Sequence, residues 1–213
     1  MEKATAAEAR SHTGSASVTE AAPAHRPSIA AAGILLGIGF GGFFDGILLH
    51  QILQWHHMLT STGNHPATTV AGLEDNTLAD GLFHALTFVA ALIGLTLLWA
   101  AVRQGAALAG RHLVGLMLAG WGAFNLVEGI VDHQILTVHH VNSDNVMLWD
   151  VVFLILGAVL LLGGVALARS GARAEEEALQ ASMKKQLELT KQGFDEQREA
   201  SDKAFQERLE REP

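Results

Sequence analysis

The stretch GILLGIGFGGFFDGILLHQILQWHH, residues 33–57, decides the fold. It is apolar for long enough to cross a bilayer, which takes about 20 residues. Yet it holds an acid and ends in three histidines. Three more apolar runs follow, so the spans read as 29–57, 78–102, 112–138 and 147–168. Four such runs in so short a stretch predict an all-α, four-transmembrane-helix bundle.

Outside these runs the composition changes. The mean hydropathy of +0.26 averages an apolar middle and a charged end. Residues 1–28 are rich in Ala, Ser, Thr and Glu with Pro23 and Pro27, and are expected to be a disordered segment. A long polar stretch before the first run is unlike a cleavable leader. The absence of cysteine excludes disulfides, iron–sulfur clusters and thiolate metal sites. A net charge of −8 with no basic stripe argues against nucleic acid as a partner.

Positive charge sets the orientation. Arg26 precedes span 1, Arg103 and Arg111 bracket the turn between spans 2 and 3, and Arg169 and Arg173 follow span 4. Loops 58–77 and 141–146 have no Lys or Arg. Both termini are therefore expected on the cytoplasmic side of a bacterial inner membrane, with both histidine-bearing turns outside.

The first stretch has a second copy. From Gly37 and Gly120 onward, one offset aligns Asp45 with Glu128, Gly46 with Gly129 and His50-Gln-Ile-Leu with His133-Gln-Ile-Leu. The pair His56-His57 aligns with His139-His140. Asp80-Gly-Leu-Phe in span 2 likewise resembles Asp150-Val-Val-Phe in span 4. The spans thus read as two tandem two-helix repeats, 29–102 and 112–168, related by a two-fold axis along the membrane normal.

Ionisable residues in spans are costly and face partners in the bundle interior. On α-helical geometry His50 and His57 share one line, while Asp45 and His56 share another roughly 120–140° away. Span 3 repeats this with His133 and His140 on one line and Glu128, Asp132 and His139 on the other. His50, His133 and His84 fall about 10 Å below the outer surface, with Asp80 and Asp150 one turn shallower. Imidazole with carboxylate is the ligand set of zinc, iron, copper(II) or manganese. The expected metal site is His50, His133, His84, Asp80 and Asp150. His56, His57, His139 and His140 are expected as a second site at its mouth, and Asp45, Glu128 and Asp132 as buried acids below. Met58 and Met147 flank the mouth, a weak hint of copper(I).

Glycines at 33, 37 and 41 have the spacing that lets membrane helices approach closely. Residues 169–213 predict a charged cytoplasmic helical tail. Leu179, Met183, Leu187, Phe194, Phe205 and Leu209 form a thin apolar seam there, suited to a homo-oligomer or a cytoplasmic partner.

The segments GFFDGILLHQILQWHHM, DGLFHALTFVA, FNLVEGIVDHQIL and WDVVFL resemble a bacterial family of four-span membrane proteins of unknown function. Some relatives are joined to a cytochrome oxidase assembly-factor domain of the copper-delivery type. The resemblance thus implies an integral membrane protein with a link to respiratory-oxidase maturation.

Transition-metal handling at the outer face is the leading functional expectation. Three alternatives compete with it: a His-rich membrane metalloenzyme, a b-type haem protein with His50 and His133 as axial ligands, and an ion- or proton-coupled transporter using Asp45 and Glu128.

Overall fold

The structure is a computed structural model that describes residues 28–211. The segment expected to be disordered lies outside the described residues apart from Ser28. Among the described residues the chain is all helical. It comprises α1 (Ala30–Phe44), α2 (Val70–Arg103), α3 (Gly110–Glu128) and α4 (Val146–Leu209). Two π-helical segments, Asp45–Ile52 and Gly129–Ile135, continue α1 and α3 without a break.

All four helices are long and apolar enough to cross a membrane. Their ends differ from the spans read in the sequence. The first and third stop at Ile52 and Ile135, before the histidine pairs. α2 starts at Val70 because the Thr69 hydroxyl accepts a hydrogen bond from Gly72 N at 3.2 Å, an N-cap the hydropathy pattern does not mark. α4 does not end with its apolar run. It is 64 residues long in all, about 96 Å at 1.5 Å per residue, and its charged half is a direct extension of the span.

The helices pack in the order α2–α1–α3–α4. α1 and α3 form the centre, and α2 and α4 each cover one of them. This row explains where the small residues lie. A methyl group on Gly37 would strike the Met117 backbone carbonyl, and one on Gly120 would strike the Ile34 carbonyl. α1 and α3 therefore cross backbone to backbone, with dispersion rather than water exclusion holding them. The outer faces of α2 and α4 expose Leu82, Leu86, Val159 and Leu162. An apolar exterior suits contact with lipid tails.

Candidate metal centre

The histidines meet because two helices change their winding at matched places. In an α-helix, residues five apart point about 140° from each other. In a π-helix, hydrogen bonds close from i to i+5, so residues five apart stack. The bonds from Leu53 N to Leu48 O and from Leu136 N to Val131 O, both 2.8 Å, have that i→i+5 spacing. Asp45 and His50 are five apart, and so are Glu128 and His133. The winding carries Asp45 Oδ2 to 3.1 Å from His50 Nε2. The α-helical expectation of two separate lines is thereby corrected.

Each chain then turns sharply. Gln54 and Thr137 both take the left-handed conformation, φ 49°, which non-glycine residues rarely adopt. The turn brings His56 and His139 back into the bundle end. They are not at a mouth: they are 3% and 0% exposed. Their rings stack 4.8 Å apart at 5°. His50 lies 4.4 Å from His56, and His133 lies 4.8 Å from His139, centroid to centroid.

Six buried side chains thus form one chamber: Asp45, His50, His56, Glu128, His133 and His139. Three triads within it have ligand atoms within 4.8 Å of one another: His50, His56 and His139; Glu128, His133 and His139; and Asp45, His50 and Glu128. Most of the donor atoms have no hydrogen-bond partner. These are Asp45 Oδ2, His50 Nε2, His56 Nε2, Glu128 Oε2 and both ring nitrogens of His133 and His139. Burial, reinforced by the neighbouring His50, pushes the His56 imidazole down to about 4. Burial and the adjacent His56 also push His139 far below the usual histidine range. Both rings are neutral at pH 7 and present lone pairs.

Asp80 and Asp150 lie behind the histidines and not among the donors. Asp80 accepts from His50 Nδ1 at 3.0 Å, His57 Nδ1 at 2.7 Å, Gln51 Nε2 at 3.2 Å and Met58 N at 3.0 Å. Asp150 accepts from His140 Nδ1 at 2.8 Å, Gln134 Nε2 at 3.1 Å and Val141 N at 3.1 Å. Its Oδ1 is 3.3 Å from His133 Nδ1, out of alignment for a hydrogen bond. Asp80 therefore ties two histidines, a glutamine and the returning loop together, and Asp150 ties one histidine, a glutamine and the loop. His56 Nδ1 is fixed separately, donating to Val141 O at 2.9 Å. Such partners hold a ligating imidazole in one tautomer and orientation.

Several sequence expectations thus change place. His56 and His139 move inward, while Asp80, Asp150, His57 and His140 brace the chamber from outside. His84 leaves the expected set, because its Nδ1 donates to the Asp80 carbonyl one turn earlier at 2.7 Å. Its Nε2 abuts Gly46, where a methyl group would come within 2.6 Å. Asp132 is half-buried and belongs to none of the triads. Asn76 carried no motif, yet it is fully buried. It accepts from Leu59 N at 2.9 Å and donates to His65 O at 2.8 Å, clamping the loop before α2 to that helix. Gln51 and Gln134 could have been found, since they recur at the same offset as the histidines.

A cavity of about 130 Å³ reaches the chamber from the side, between α1, α3 and α4. Phe44, Leu49, Trp55, Trp149 and Phe153 line it, and Asp45 and Asn125 are its polar residues. On the α2 side, Phe83 and Phe124 fill the corresponding space with ring centroids 6.0 Å apart.

Comparison with known proteins agrees with this architecture. Residues 32–171 match the family described as "Predicted membrane protein (DUF2243)", and the chain belongs to that family of unknown function. No curated protein and no solved structure matches it.

Proposed function

We propose that this member of a membrane family without assigned function binds a first-row transition metal in the chamber of four histidines and two acids. One observation carries the reading. In the neutral ring with its proton on Nδ1, donated to Asp80, His50 Nε2 keeps a lone pair. That lone pair faces Asp45 Oδ2 at 3.1 Å, out of alignment for a hydrogen bond. Two acceptors that close repel each other unless a cation lies between or beside them. Neutral imidazole with carboxylate suits zinc, iron or copper(II).

The two copies of the motif are read as a tandem duplication whose halves each supply three donors. With the arginine-bearing turn cytoplasmic, the chamber sits at the outer face of a bacterial inner membrane. Metal handling there, including oxidase maturation, fits that placement. The test is elemental analysis of protein purified from metal-replete cells, alongside its optical spectrum. Stoichiometric metal, lost in His50→Ala and in His133→Ala, is expected. Metal-free wild type would sink the reading.

A second reading, a membrane metalloenzyme, is supported by the side cavity. An apolar space that ends at Asp45 suits a small lipophilic molecule brought up to a metal. Filling it from α4 with Val152→Phe would block turnover of such a molecule and leave metal content unchanged.

A further inference from the structure

We propose that the chamber holds two metal ions rather than one, with Glu128 as the ligand shared between them. This rests on the metal-binding reading above and adds its stoichiometry. Two of the triads, Asp45–His50–Glu128 and Glu128–His133–His139, have only Glu128 in common. One cation can sit in each. His56 lies between them, since it forms a triad with His50 of the first and His139 of the second.

The two acids are not equivalent. Asp45 faces His50 of its own half. Glu128, longer by one methylene, has Oε1 3.6 Å from His139 and Oε2 buried without a partner. It is the residue that reaches both halves. Asp45 forms no triad with His133 or His139. A carboxylate with two oxygens can give one to each of two cations, which is how bundle dinuclear sites share an acid.

Charge points the same way. Asp45, Asp80, Glu128 and Asp150 are at most 4% exposed. Residues 27–102 and 112–168 contain no Lys or Arg. Wherever these buried carboxylates are ionised they need positive charge beside them, up to four charges in all, because an unpaired buried charge is very costly. Two divalent ions supply them while every imidazole stays neutral. The competing source is protonated imidazoles, and metal stoichiometry separates the two.

The experiment is a cobalt(II) titration of full-length, chelator-stripped protein in detergent, followed by visible absorption and metal content after desalting. Wild type should take two equivalents, and Glu128→Gln and Asp45→Asn one each. No bound cobalt in wild type overturns the metal reading itself. One equivalent leaves that reading standing and overturns the two-ion proposal. Two equivalents in wild type and still two in Glu128→Gln overturn the shared role of Glu128. If Glu128→Gln loses native size in detergent, the Asp45→Asn protein decides: one equivalent supports the proposal, and two or none overturn it.

Discussion

The two hairpins carry the same motif, but they finish it differently. In the first, Asp80 accepts four aligned hydrogen bonds, Asp45 meets His50, and His84 and Phe83 pack against the outside. In the second, Asp150 accepts three aligned bonds, Glu128 lies nearest His139 of its own half, and an aliphatic residue, Leu154, stands against Gly129 where His84 stands against Gly46. The cavity lies beside α4, lined in part by Gly41 of α1, while Phe124 at the matching place in α3 packs against Phe83. A duplicated motif thus secures a shared scaffold. The differences between copies sit where a ligand could tell the two sides apart.

The largest test of this comparison concerns the bracing acids. Asp80→Ala should destabilise the protein by about 3–5 kcal/mol, since it strands buried imidazole and backbone groups. Asp150→Ala should cost less, by about one hydrogen bond to a charged group, roughly 1.5–3 kcal/mol. Chemical denaturation in detergent measures both, and equal losses would show that the halves bear equal load. Next comes the crossing of α1 and α3. Gly37→Ala and Gly120→Ala should each cost about 1–3 kcal/mol through overpacking, and by similar amounts, because each methyl meets a facing carbonyl. A clear inequality would break the symmetry of the centre.

A smaller effect is expected at the turns. Gln54→Gly and Thr137→Gly should each stabilise by about 1 kcal/mol by relieving left-handed strain. Thr137→Gly should gain more because a β-branched side chain tolerates that conformation least. Thermal unfolding of the two variants would invert the order if the strain is held elsewhere. The smallest effect concerns the tail. Beyond Gln180 every described residue of α4 is exposed. Removing residues 181–213 should leave bundle stability within about 0.5 kcal/mol. If the exposed seam of Met183, Leu187 and Phe194 self-associates, the same truncation lowers the oligomer size in detergent.

Much of the site is legible in the amino-acid sequence, though its layering is not. One offset pairs Asp45 with Glu128 and matches the glutamines and histidines, a second pairs Asp80 with Asp150, and all of these lie in the chamber or brace it. A uniform 100° per residue is what misleads. Under that rule Asp45 belongs with His56 and not with His50, and both histidine pairs continue outward along the helix. A change to π-winding leaves no mark in composition, because the same residue types serve either helix. The turns at Gln54 and Thr137 are equally hidden, as neither residue signals a left-handed backbone.

Sequence alone determined the membrane-spanning helices and the pairing of motifs, because a bilayer demands long apolar runs and a shared offset is visible in one dimension. Tertiary structure alone decided which groups line the chamber and which brace it. That choice depends on how two helix ends rewind and fold back on each other. It is a three-dimensional outcome of satisfying buried polar groups, and no single residue specifies it.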